Sequence, residues 1–254
     1  MKHGLKARWA KRPRLSRGWR IVRNLAVTAV ALAAIWSIMG CPLPSAELEF
    51  RRMERRCMLP ESELVFATPE RYRSPYPVPS QDHTVTALDG MELTLEDCHF
   101  VGVTEELAVV GRVERGLLWA ETGSLQGYAR DGRPLLLPLG WREWETPRAY
   151  WITEEQGAGG GVSYTYHNVT PLVLLDVPEE AQRAELSLEL HVGEKALPYE
   201  TTCWNMGGGV WLVGASRAGQ AAPDPWFGGT YTLRLYDETG DLLLKQEGTI
   251  PEPL

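Results

Sequence analysis

Glu185–Val192 reads ELSLELHV, and its period is two: Leu186, Leu188, Leu190 and Val192 alternate with Glu185, Ser187, Glu189 and His191. Successive side chains of an extended strand point to opposite faces, so the pattern predicts a strand with one face on a core and one in water. Met91, Leu93 and Leu95 alternate in the same way with Glu92, Thr94 and Glu96, as do Tyr231, Leu233 and Leu235 with Thr232, Arg234 and Tyr236. Asp89-Gly90 separates the 91–96 run from Thr84–Leu88 and predicts a hairpin, because both turn positions favour positive φ. An Asp237–Asp241 turn leads into Leu242–Gln246, and a third hairpin is expected at Asp131-Gly132, with Pro134 marking an edge. Leu135–Leu139 and Leu172–Leu175 are continuous apolar runs, the pattern of strands buried on both faces.

After Met58 no helical period of comparable strength occurs, apart from a turn at Pro178–Arg183. Residues 83–254 are therefore expected to form an all-β body, an immunoglobulin-like antiparallel β-sandwich. It is either one large sandwich or two in tandem. Glu92–Glu96 is echoed at Glu185–Glu189, and Val110-Gly111 with Gly116 at Val213-Gly214 with Gly219, which places a join near residues 156–162. Chance explains the echo equally well, since any amphipathic strand looks like this.

N-terminal to the body the composition changes twice. Pro69–Gln81 holds four prolines and reads as an extended, stiff linker, assigned to residues 60–82. Ala46–Met58 (AELEFRRMERRCM) predicts a short juxtamembrane helix, residues 46–59, with Phe50, Met53 and Cys57 on one face and a Glu47–Arg51 pair. It serves as a stalk or partner-docking helix, or else packs on the body.

Residues 24–45 carry no charge and separate a basic tail from an acidic remainder. Residues 1–23 hold nine Lys/Arg and no acidic residue; with 26 basic and 33 acidic residues in the whole chain, residues 47–254 hold 17 and 33, a net of −16. A basic flank before an apolar run predicts a single transmembrane anchor with the tail cytoplasmic and the body outside, at the cell membrane. The apolar centre, Leu25–Ile38, is fourteen residues, about 21 Å of helix against about 30 Å of hydrocarbon. A span over residues 21–41 supplies the length, with Trp19 and Trp36 at the interfaces and Pro42 and Pro44 ending the helix. Ile38-Met39-Gly40-Cys41 also resembles a bacterial lipoprotein cleavage box, which makes Cys41 a candidate for lipidation. Pro42 and the long basic region depart from that pattern.

No catalytic or cofactor motif is apparent, and no cofactor is expected. Four cysteines (Cys41, Cys57, Cys98, Cys203) fit no zinc spacing; outside the cytoplasm Cys98 and Cys203 are the candidate disulfide, two buried thiols the alternative. The five histidines are scattered, and no metal site is expected. Gly159-Gly160-Gly161 and Gly207-Gly208-Gly209 lack the Lys-Ser/Thr of a phosphate loop and read as flexible loops. Tryptophan is the anomaly. Seven of the ten lie in the body, and Trp141, Glu143, Trp144, Glu145, Tyr150 and Trp151 cluster in sequence. Exposed rings there would stack on sugars or on a protein partner while the carboxylates bind hydroxyls; a place in the core is the competing reading.

Three functions follow: a non-catalytic binding or scaffold protein of the cell envelope, a glycan or cell-wall binding module, or a regulatory subunit of a membrane signalling complex. The membrane and a protein or glycan outside the cytoplasm are the expected partners. Nucleic acid is not, because phosphate neutralisation needs clustered Lys and Arg that the acidic body lacks.

Overall fold

The computed structural model describes residues 16–39, 41, 43, 45–68, 83–86, 92–95, 97–115, 120–139, 149–156, 162–217 and 228–254, with the backbone alone for 37, 83–86, 92–94, 115, 120–122, 149–156 and 162–168. The chain forms two compact units, Met1–Pro42 and Leu43–Leu254.

The first unit contains α1 (Arg17–Ile38). It begins earlier than the apolar run, because Ser16 caps it: the Ser16 hydroxyl accepts from the Trp19 amide at 3.2 Å. Its 22 residues span about 33 Å, enough for a hydrocarbon core of about 30 Å. Every side chain of α1 that is described is exposed, Leu25, Val30 and Leu32 among them. One N-terminal helix is thus long and apolar enough to cross a membrane, a requirement that a secretory signal sequence meets as well.

The second unit opens with α2 (Ala46–Arg56). Among the described residues fourteen strands follow: β1 (Glu63–Ala67), β2 (His83–Thr86), β3 (Glu92–Leu95), β4 (Cys98–Val103), β5 (Leu107–Arg115), β6 (Ala120–Ala129), β7 (Leu135–Pro138), β8 (Ala149–Gln156), β9 (Val162–Leu175), β10 (Arg183–Val192), β11 (Lys195–Gly207), β12 (Val210–Ser216), β13 (Gly229–Tyr236) and β14 (Leu242–Thr249). They build a four-stranded sheet, β1-β4-β5-β6, and a ten-stranded sheet, β14-β13-β10-β11-β12-β9-β8-β3-β2 with β7 also on β9. Every pairing is antiparallel, and the all-β expectation for the body holds.

The larger sheet folds back on itself at β11. Residues 195–199 of β11 pair with β10, whereas residues 200–207 pair with β12. Pro198 is tolerated because that half of β11 pairs on one side only. The strands β7, β9 and β12 consequently form a middle layer buried on both faces. Leu136, Leu172, Leu174, Trp211 and Val213 join a core shared with β10 and β13. Their neighbours Leu137, Val173, Leu175 and Leu212 join a second core shared with β4, β5 and β6. The uninterrupted apolar runs at 135–139 and 172–175 have this cause.

The helix α2 covers the remaining face of the four-stranded sheet, in a third core with Cys98, Phe100, Val109 and Val113. Phe50 is fully buried and stacks on Phe100 with ring centroids 5.4 Å apart. The close approach depends on glycines. A Cβ on Gly111 would lie 2.3 and 2.6 Å from the Phe50 ring, and one on Gly123 2.6 Å from the Met53 sulfur. Arg51 donates to the Glu54 carboxylate at 2.9 Å and to the Ser62 carbonyl at 2.7 Å, while the Ser62 hydroxyl donates to Glu54, whose carboxylate is almost wholly buried.

Several local expectations change. The helix at 46–58 is part of the body, and Cys57, expected on its buried face, is its exposed C-terminal cap. Arg51 pairs with Glu54 rather than Glu47, because Glu54 faces the same inter-element crevice. The span 60–82 is not all linker: β1 lies within it, paired with β4, and its proline-rich part at 69–81 lies outside the described residues. The reversal at Asp131-Gly132 is present, with Gly132 at φ 76°, yet it closes no hairpin. Its strands diverge, β6 onto β5 and β7 onto β9. Arg130 secures this crossover by donating to the Asp176 carboxylate and the Thr104 carbonyl. Where a join was expected, near 156–162, β8 and β9 pair with each other, Gln156 opposite Val162, and residues 157–161 lie outside the described residues. Gly207-Gly208-Gly209 is a defined β11–β12 turn, all three residues at positive φ.

Two hairpins form as expected. Thr86 lies opposite Glu92 across the Asp89-Gly90 stretch, whose turn lies outside the described residues. At the β13–β14 turn Asp237 Oδ1 accepts from Thr239 Oγ1 at 2.7 Å and from the amides of Thr239 and Asp241, both at 2.9 Å. These bonds, the Thr239 hydroxyl first, hold the Asp237 carboxyl below its ordinary value of 3.8. A carboxyl depressed by folding stabilises the fold above its unfolded pKa, and that contribution is lost as pH falls through the folded value. An NMR titration of the side-chain carboxyl carbon is expected to place the Asp237 midpoint below 3.8, with the turn loosening on protonation. A midpoint at or above the ordinary value would contradict the arrangement.

Candidate functional site

The alternation that makes β10, β13 and β14 strands also decides what they show to solvent. With Leu186, Leu188, Tyr231 and Leu233 inward, the intervening residues face out. Register then sets them side by side: Ser187 opposite Thr232, Glu189 opposite Thr230 and Pro198, Thr232 opposite Glu247. The result is a groove of about 1140 Å³ across the outer face of these strands and β11.

Four glutamates line it, Glu185, Glu189, Glu200 and Glu247, together with Ser187 and the threonines 201, 230, 232 and 249. Among the described residues, no lysine, arginine, histidine or cysteine is in the lining. Basic groups stand at its rim. Lys245 pairs with Glu247 at 2.8 Å and, by hydrogen bond first and by charge second, holds that carboxyl below its ordinary range. At the other end the Tyr236 hydroxyl donates to Glu185 at 3.0 Å, and the Arg183 guanidinium lies 4.3 Å above the Tyr236 ring. The hydrogen bond to Glu185 raises the Tyr236 phenol. Such a surface can accept hydrogen bonds from hydroxyl or ammonium groups, while its hydroxyls both donate and accept.

A second polar concentration lies between layers. His99 is fully buried on β4, and its Nδ1 is 2.8 Å from the Asp97 carbonyl. A carbonyl only accepts, so Nδ1 carries a proton in this contact. The His99 amide donates to Thr68 Oγ1 at 2.8 Å, and Arg112 pairs with the Asp97 carboxylate. These contacts tie the end of β1 to β4 and β5.

The residues singled out from the sequence fall elsewhere. Trp141, Glu143, Trp144 and Glu145 lie outside the described residues. Tyr150 and Trp151 have backbone places in β8, opposite Thr94 and Leu93 of β3 and opposite Asn168 and His167 of β9. Among the body tryptophans whose side chains are described, Trp204 of β11 and Trp211 of β12 are buried, each in a different core. Cys98 packs under α2 and Cys203 against the core below β10, in separate clusters and not joined to each other. Burial pushes the Cys203 thiol up to about 12. Cys41 follows α1, its amide donating to the Trp36 carbonyl at 3.1 Å. Among the described residues no three His, Cys, Asp or Glu side chains converge as metal ligands.

The groove escaped sequence reading although its signal was present. The outward residues of β10 and β13 are rich in Glu, Ser and Thr, but their convergence needs the β10–β13–β14 register, which a two-residue period does not supply. Compared with known proteins, the chain matches no family model, no curated protein and no solved structure.

Proposed function

We propose that this is a membrane-anchored protein whose all-β body, immunoglobulin-like in its antiparallel layers packed face to face, works outside the cytoplasm as a non-catalytic binding or scaffold module. The observation that carries this reading is α1, whose residues after Asn24 are almost all apolar and whose described side chains are exposed, in a chain whose body buries its apolar faces. A surface of that kind fits lipid and not water. The nine basic residues before the apolar run favour a cytoplasmic tail, which leaves the body on the outer side. Trp19 and Trp36 stand near the two ends of the helix, where indole rings favour the interface. The groove over β10, β11, β13 and β14 is the binding face this reading assigns.

Protease added to intact spheroplasts is expected to digest the body while leaving an N-terminal tag protected, and alkaline carbonate is expected to leave the chain in the membrane pellet. A body digested only after lysis would reverse the orientation, and release into the supernatant would remove the anchor.

A glycan-binding role is the second reading, favoured by the pairing of carboxylates with hydroxyls in the groove. Cell-wall fragments should then bind the full chain, and Glu189→Gln together with Glu200→Gln should weaken binding about tenfold. Equal binding by the variant would exclude the groove. A regulatory subunit whose tail meets a cytoplasmic partner remains the third proposal.

A further inference from the structure

The turn that ends α2 is a Schellman motif: the Leu59 amide donates to the Glu54 carbonyl at 2.9 Å and the Met58 amide to the Arg55 carbonyl at 3.2 Å. Met58 takes φ 56°, the left-handed region where glycine is the ordinary occupant. Its side chain is 90% exposed. Glycine would serve the turn without strain, so methionine here carries a local conformational cost, and its side chain is not used by the core.

Its surroundings are those of an interfacial surface. Leu48, 47% exposed, and Arg55 are seven residues apart and share one side of α2. Arg55 and Arg56 are exposed and, among the described residues, make no ion pair, whereas Arg51 and Arg52 are engaged by Glu54 and Glu49. We propose that Leu48, Arg55, Arg56 and Met58 form a contact with anionic phospholipid headgroups of the bilayer in which the chain is anchored. The inference rests on the anchor reading. Residues 39–45, which join the two helices, reach at most about 25 Å when extended. The patch is thereby held at high effective concentration near the headgroups, and a weak contact suffices.

Charge sets the orientation. Where the facing leaflet is anionic, it repels a body of net charge −16 and draws its exposed guanidinium groups inward. The apolar Met58 and Leu48 then enter the headgroup boundary, as on other amphipathic interfacial helices. The exposed carboxylates Glu47 and Glu61 flank the patch and keep the contact weak and salt-sensitive.

Cys57, exposed beside Met58, is the reporter position. The full chain carrying Cys41→Ser, spin-labelled at Cys57, is reconstituted into vesicles of phosphatidylcholine alone or with one-third phosphatidylglycerol. Collisions of the label with a water-soluble nickel reagent should fall about threefold in the anionic vesicles. They should return to the neutral-vesicle rate in about 0.5 M salt, in Arg55→Gln/Arg56→Gln, and in Met58→Gly, which preserves the turn. Equal collision rates in both lipids, with the chain still retained after alkaline extraction, would overturn the contact and leave the anchor standing. Release of the chain by that extraction would overturn the anchor and the contact with it.

Discussion

Phe50→Ala is expected to lower the stability of the body by about 3–5 kcal/mol, the usual cost of emptying a buried aromatic site. For a domain of this size that corresponds to a fall of roughly 6–20 °C in Tm. The ring is fully buried against Phe100 and stands directly over Gly111. Thermal unfolding of the full chain in detergent, followed by tryptophan fluorescence, is the measurement. Trp204 and Trp211 sit in the other two cores, so their response reports whether α2 and the sheets unfold together. A helix serving only as a stalk would leave their transition where it was. Gly111→Ala should be destabilising as well, because its Cβ would enter the ring and the strand behind it cannot retreat. The double variant supplies a sharper check. With the Phe50 ring gone the new methyl has room, so the two effects should fall short of additivity by about 0.5–3 kcal/mol. Strict additivity would mean that the glycine is not there for the helix.

Much of the architecture was legible because strand period and burial are local properties. Glu185–Val192 and Tyr231–Tyr236 became β10 and β13 with the apolar residues inward, as their alternation required. The runs at 135–139 and 172–175 announced a layer covered on both sides, which β7 and β9 occupy. What failed to appear was decided at a distance. Asp131-Gly132 specifies a reversal, but whether the strands on either side pair depends on partners far along the chain, and β9 captured β7. Glu63–Ala67 was lost in a linker because five residues beside a proline-rich stretch carry little periodic signal, and β4 gives that strand its identity. Likewise the amphipathic pattern of residues 46–58 was readable, whereas its seat on the sheet follows from Gly111 and Gly123, single glycines that have no visible partner in sequence. The groove is the extreme case, since every residue in it looks like an ordinary solvent-facing strand residue until β10, β11, β13 and β14 are placed together.

Trp204→Ala and Trp211→Ala should each cost about 3–5 kcal/mol, and each should shift a single transition of the whole body. The two rings enter different cores: Trp204 of β11 joins the core under the four-stranded sheet and Trp211 of β12 the core under β10 and β13. Tandem sandwiches would keep these damages apart, with one half melting early and the other unchanged. Here the strands cannot be divided that way. Trp204 lies opposite Leu212, and Trp211 opposite Asn205, on the same pair β11 and β12. A cavity opened on one face therefore displaces strands whose other face seals the second core, and close packing transmits that displacement. The repeated Glu-Leu-x-Leu-Glu motif does not mark equivalent units, because β3 pairs with β2 and β8 while β10 pairs with β11 and β13. Scanning calorimetry on the full chain in detergent should give a calorimetric to van't Hoff enthalpy ratio near one for the native protein and for both variants. A second transition surviving at the native temperature in either variant would show that the two cores fold independently and that the middle layer does not couple them.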